Sequence, residues 1–183
     1  DGRELDAGEY TLRFSIISLH SGEVKATHEF KLTLLVFLLP KSELIYTNWF
    51  HNDCLADIYD LALYSDEYFE VFEKFVRNAA RHGMNTLLLP AFTPPLDTMV
   101  GEVRKNAQLV KVKCRGGKYE FDMSLLDRYV TVALDAGIEL FEHTHMYSQW
   151  GATKAPAVYA EVDGVEKRIF GWETDATSEA YCE

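Results

Sequence analysis

The chain has 183 residues, enough to bury a sizeable core and to hold one domain, or one domain and a piece of another. Its formal net charge of -11, with Lys and Arg scattered rather than clustered, argues against a nucleic-acid partner, which needs a basic stripe. The longest apolar run, Leu32 to Leu39, is too short to span a bilayer, and the three widely spaced cysteines, Cys54, Cys114 and Cys182, indicate neither a disulfide framework nor a zinc site.

From Gly8 to Leu39 the pattern predicts two long strands. Tyr10, Leu12, Phe14 and Ile16 alternate with Thr11, Arg13 and Ser15, the turn falls at His20-Ser21-Gly22-Glu23, and a second run starts at Val24. Pro40 breaks that run, and the domain boundary is placed there: residues 1–40 read as the end of an all-β domain, a sandwich, and residues 41–183 as the start of a different one. A strand is expected from Glu43 to Thr47. Ser65-Asp66-Glu67 then opens an amphipathic helix carrying Phe69, Phe72, Phe75, Val76 and Ala79, which stops at His82-Gly83.

Met84 to Leu89 is a continuous apolar strand of the kind that a parallel sheet buries on both faces. Gln108 to Cys114 and Lys118 to Phe121 flank Arg115-Gly116-Gly117 and predict a hairpin, followed by a helix from Ser124 to Ala136 that closes at Gly137. A third strand, Ile138 to Phe141, precedes a second hairpin, Ala157 to Val162 with Glu166 to Phe170, and a helix start near Ser178 with Asp175 as its cap. Strand and helix alternate, so the fold class is α/β: the first three or so βα units of a partial (β/α) TIM-type barrel, too short to close, with an N-terminal hairpin from a sandwich domain. The chain lacks an initiator Met and stops at the opening of a helix, so it reads as part of a longer protein. The open edges of such a half-barrel predict self-association.

Three of these strands run straight into polar, aromatic clusters, which is how a barrel builds its active rim. The first holds Asn48, Trp49, His51 and Asp53. The second is Phe92-Thr93-Pro94-Pro95-Leu96-Asp97, a stiff loop whose Phe92 can wall a pocket. The third is Glu142-His143-Thr144-His145 with Gln149 and Trp150. Glu173, after the second hairpin, is a further contact candidate. Aromatic platforms beside amides, imidazoles and carboxylates suggest a sugar site. The alternative for each is structural: a packed ring, a loop cap, a connector. His143 and His145, two apart, predict side chains on one face with Glu142 on the other; without a third ligand at recognisable spacing, no metal is assigned, and no cofactor. Asp66-Glu67 belongs to a helix start rather than to acid/base chemistry.

The strings Thr47-Asn48-Trp49-Phe50-His51-Asn52-Asp53-Cys54-Leu55-Ala56-Asp57, Pro90-Ala91-Phe92-Thr93-Pro94-Pro95-Leu96-Asp97-Thr98, Gln149-Trp150-Gly151 and Phe170-Gly171-Trp172-Glu173-Thr174-Asp175-Ala176 resemble the catalytic domain of glycoside hydrolase family 123, from about Tyr46 to the end. The hairpin before Pro40 resembles the tail of the β-sandwich that precedes the barrel there. The resemblance implies a retaining, substrate-assisted β-N-acetylgalactosaminidase or a related hexosaminidase, acting on an N-acetylhexosamine-containing glycan. In such enzymes an Asp orients the substrate's acetamido group and the neighbouring Glu is general acid, then base. That pair belongs to a later barrel strand and has no matching position here, so the segment is expected to supply sugar-pocket residues without cleaving alone. The alternative reading is a non-catalytic carbohydrate-binding or structural protein. A metal-dependent hydrolase using His143 and His145 is a third. The cellular location is open, with the free cysteines favouring a reducing compartment, the cytoplasm.

Overall fold

The computed structural model describes residues 5–37, 42–94, 98–148 and 151–182. The expected boundary at Pro40, the stretch Pro95-Leu96-Asp97 and the candidates Gln149 and Trp150 lie outside the described residues. The chain divides into two compact units, Asp1–Glu43 and Leu44–Glu183.

The first unit is an antiparallel hairpin of β1 (Gly8–Ile17) and β2 (Val24–Leu34), in register from Gly8 opposite Leu34, with a shift between Ile16 and Ile17. The two-residue period sorts its faces. Phe14 stacks on Phe30 on one face, while Arg13 pairs with Glu29 and Ser15 with Thr27 on the other.

The second unit begins with a short helix, α1 (Asn52–Ile58), followed by α2 (Asp66–Arg81) and the strand β3 (Thr86–Leu89). The Ser65 hydroxyl accepts the Tyr68 amide and caps α2, and Asp66 and Glu67 sit in its first turn where the dipole favours them. Asp66 also pairs with Arg128 on the next helix. Tyr68, Phe69, Phe72 and Val76 form the buried stripe of α2. The hairpin β4 (Lys111–Arg115) and β5 (Lys118–Asp122) precedes α3 (Ser124–Asp135), whose first amide is taken by the Asp122 carboxylate. Gly137, at φ +107, ends this segment beside Ala80: a Cβ there would lie 3.3 Å from the Ala80 methyl. Tyr129 packs its ring 4.6 Å from Phe72, joining the two helices over Leu87 and Ile138.

The strand β6 (Leu140–His143) pairs with β3 in parallel, from Thr86 opposite Leu140 to Leu89 opposite His143. On the other edge of β3 the expected strand from Glu43 to Thr47 shrinks to a single parallel bridge, Thr47 to Thr86. Beside it the Tyr46 carbonyl accepts from the Asn85 and Thr86 amides at 3.1 and 3.2 Å, and the next bonds go to the Asn85 side chain: its carboxamide accepts from the Tyr46 amide and donates to the Leu44 carbonyl, each at 2.8 Å, in place of a continued ladder. The helices α2 and α3 share one core with Leu87, Leu89 and Phe141, so Thr86, Leu88, Leu140 and Glu142 face the other way.

Two further strands, β7 (Val158–Val162) and β8 (Val165–Phe170), form the second hairpin, and α4 (Glu179–Cys182) follows. Both hairpins turn on two residues at positive φ, Gly116-Gly117 and Asp163-Gly164. They are not separate: β4 pairs in parallel with β7, giving one four-stranded sheet in the order β5-β4-β7-β8. The architecture is therefore mixed α/β with small sheets, and no closed barrel among the described residues.

Candidate functional site

The ends of β3, of β6 and of the bridged segment at Thr47 lie side by side, and their registers decide which side chains share a face. Thr47 is bridged to Thr86 and Leu88 lies opposite Glu142, so two residues beyond the bridge Trp49 falls in one layer with Leu88 and Glu142. The indole Nε1 of Trp49 donates to Glu142 Oε2 at 2.7 Å. The His145 ring meets the same indole edge-on, at 6.1 Å between centroids and 78° between planes. Trp49 remains 44% exposed, a ring held at its edge with area left for a ligand. Beside it His145, Tyr147, Ser148, Gly151 and Ala152 line an open cavity of about 370 Å³.

The other predicted residues are placed differently. Asn48 is exposed, and its carboxamide donates to the Tyr46 hydroxyl. His51 stands just before α1, its carbonyl accepting the Leu55 amide. Asp53 is buried, and its carboxylate accepts from Arg104 Nη2 at 3.0 Å. Phe92 lines an apolar cavity of about 220 Å³ together with Met146, Phe170 and Tyr181. His143 ends β6 opposite Leu89, on the helix side, and its Nδ1 bonds the Thr144 carbonyl. Because β6 stops there, strand alternation does not extend to His145, which packs on Trp49 instead; the two imidazoles do not share a face. Glu173 pairs with Arg168 at 3.1 Å. Asp175 holds a turn, accepting from the Thr177 amide and hydroxyl, and those bonds lower its carboxyl below the usual range. Among the described residues no group of three His, Cys, Asp or Glu side chains converges as a metal site would require.

The family model of the glycoside hydrolase 123 catalytic domain matches residues 49–183, nearly all of the second unit. The chain belongs to glycoside hydrolase family 123. A solved structure similar to it is a family 123 glycoside hydrolase from Clostridium perfringens, described for glycolipid glycan hydrolysis, with a TM-score of 0.67 at 14% identity. The likeness covers 90% of this chain and 30% of that one, so the chain spans less than a third of that enzyme. No curated protein matches.

Within this family 123 domain, the sequence does not single out as contacts three residues central to the geometry. Glu142 looks like the off-face neighbour of two histidines until the register with β3 puts it beside Trp49. Arg104 lies in a stretch with no periodicity, yet its side chain ties to Asp53. Gln108 looks like an ordinary strand residue, but its side chain bonds the backbone of Tyr159.

Proposed function

We propose that this domain forms part of the sugar pocket of a retaining, substrate-assisted β-N-acetylgalactosaminidase or related hexosaminidase. The observation that carries the reading is the Trp49 ring, fixed by Glu142 and His145 at the ends of adjacent parallel strands and half exposed beside an open cavity. A pyranose presents an apolar C–H face that stacks on an indole, and hydroxyls that need hydrogen-bonding side chains at its edge. His145 supplies such a partner here, and Gln149 and Trp150 follow it in the chain.

The same reading makes the second unit the N-terminal portion of a (β/α) barrel. Consecutive parallel neighbours with both helices on one face support it, because a doubly wound sheet places helices on both. Residues 1–40 are then the end of a sandwich domain. In the proposed reaction the substrate's acetamido oxygen attacks the anomeric carbon, and an Asp-Glu pair on a later strand orients that group and protonates the departing oxygen. Asp66-Glu67 does not fill that role: both start α2, and Asp66 is paired with Arg128. The segment alone is therefore expected to be inactive. The far edge of β6 and the 43% exposed Leu140 support self-association of the isolated segment, which sedimentation at increasing concentration would register as mass above the monomer.

Glycolipid glycans, the substrate described for the Clostridium enzyme, are the class to test first, since Phe92 and Met146, on the loops that follow β3 and β6, line an apolar cavity with Phe170. The deciding experiment compares the full-length protein with residues 1–183 on chromogenic β-N-acetylgalactosaminide and β-N-acetylglucosaminide. Cleavage by the full-length protein alone is expected. Sugar binding without cleavage by either would turn the reading to a carbohydrate-binding protein, and cleavage by the segment would overturn the placement of the acid/base pair.

A further inference from the structure

The pairing of Trp49 with Glu142 divides the work of a sugar site between two groups. An indole has one donor and no acceptor, and that donor is spent on Glu142 Oε2. Trp49 is left with its ring face alone, which attracts a pyranose without reading its hydroxyls. Glu142 is half-buried at the end of β6, and its second oxygen, Oε1, has no hydrogen-bond partner among the described residues. A carboxylate is acceptor-only, with room for about four hydrogen bonds over its two oxygens.

We propose that Glu142 is a specificity-determining residue of this site, accepting one or two hydroxyl protons of a pyranose stacked on Trp49. The inference rests on the sugar-pocket reading given above. The indole bond serves it twice: it fixes the carboxylate rotamer, and it turns the ring so that platform and acceptor meet at one corner of the sugar. The His145 ring stands across the indole, at 78° between planes. Hydroxyl-to-carboxylate bonds are short and charge-assisted, stronger than bonds to a neutral amide. A carboxylate also offers nothing to a position that cannot donate, so the site discriminates against deoxygenated or O-methylated sugars at the hydroxyl it reads.

The test uses the full-length protein and a chromogenic β-N-acetylhexosaminide together with its 3-, 4- and 6-deoxy analogues. Wild type is compared with Glu142→Gln and Glu142→Asp, and with Trp49→Phe, which keeps a ring and removes the donor. Glu142→Gln is expected to raise KM about 10- to 100-fold with kcat within a few-fold, the loss of a hydrogen bond to a charged acceptor. For one deoxy analogue wild type should lose about the same factor, and Glu142→Gln should lose no more, since the partner hydroxyl is already absent. Trp49→Phe, which releases the carboxylate rotamer and shrinks the platform, should raise KM and weaken the deoxy discrimination without abolishing it; full discrimination at wild-type KM would overturn the role given to the indole bond. Unchanged kinetics in Glu142→Gln, with an unchanged unfolding midpoint, would reduce Glu142 to a support for Trp49 and overturn the proposal. A thousandfold fall in kcat at constant KM, with every deoxy penalty retained, would also overturn it, by moving Glu142 into the bond-breaking step. Wild type that neither cleaves nor binds any of these glycosides would instead sink the sugar-pocket reading itself.

Discussion

Arg104 and Asp53 meet at 3.0 Å with both side chains about nine-tenths buried, one from the loop after β3 and one from the first turn of α1. Burial works against the guanidinium charge, but the bonds to Asp53 prevail and raise its pKa. Arg104→Met leaves the Asp53 carboxylate charged and buried and is expected to cost about 3 kcal/mol by urea denaturation; Asp53→Asn should cost less, since Arg104 also bonds Cys54 Sγ. The double variant should lose less than the sum of the two, a coupling of more than about 1 kcal/mol in a double-mutant cycle. Additive losses would mean that the pair is incidental.

Gln108 imitates a peptide group. Its carboxamide donates to the Tyr159 carbonyl at 2.7 Å and accepts the Tyr159 amide at 2.8 Å, extending the parallel ladder between β4 and β7 by one more pair. Gln108→Ala strands both backbone groups of Tyr159 and is expected to cost about 2 kcal/mol. Hydrogen exchange at the Tyr159 amide should accelerate in the variant well before global unfolding. Gln108→Glu keeps the acceptor and loses the donor, so it should protect that amide better than Gln108→Ala does.

The tyrosine core gives stability a definite pH dependence. Tyr68 donates to Asn52 at 2.7 Å and Tyr129 to the Leu88 carbonyl at 3.1 Å. Burial first, and for Tyr68 the neighbouring phenols second, raises both pKa values above the ordinary 10.0. Burial likewise pushes Tyr181 up to about 12. A phenol whose folded pKa lies above its unfolded one stays protonated in the native state while the unfolded chain ionises. Its contribution is complete below pH 10 and falls, by about 1.4 kcal/mol per pH unit per residue, as pH rises from there toward the folded pKa. Urea titrations between pH 9.5 and 11 should show that loss, and Tyr68→Phe should remove one residue's share of it while lowering stability at neutral pH by about 1 kcal/mol, the cost of leaving Asn52 Oδ1 short of a donor.

Ser65→Ala tests the start of α2 alone. The hydroxyl accepts the Tyr68 amide at 3.1 Å, and its loss should cost about 1 kcal/mol with no change at the Trp49 site. Intrinsic fluorescence and the unfolding midpoint measure the two effects separately.

The elements that the sequence disclosed are those with local causes. The helix α2 announces itself by a cap and a stripe, α3 by its terminal Gly137, and both hairpins by turn pairs that demand positive φ. What stayed hidden depends on partners distant in the chain. The ladder expected before Asn48 yields to the Asn85 side chain, and nothing in the local pattern distinguishes that Asn from a loop residue. The short α1 has no apolar stripe to announce it: its Asn52 and Asp53 are polar yet buried, because Tyr68 and Arg104 come to meet them. At the site, Trp49 and His145 were visible as an aromatic and an imidazole past strand ends, whereas Glu142 needed the parallel register to be seen beside them.

The four-stranded sheet has a consequence for anyone recutting this domain. Its two halves belong to different connections, one leaving β3 and one leaving β6, and β4 and β7 supply each other's inner edge. Trimming or grafting either hairpin by itself would bare a row of amides and carbonyls on the one that stays. The two hairpins are therefore a single exchangeable part with two attachment points, and changes of loop length in one connection have to be matched in the other.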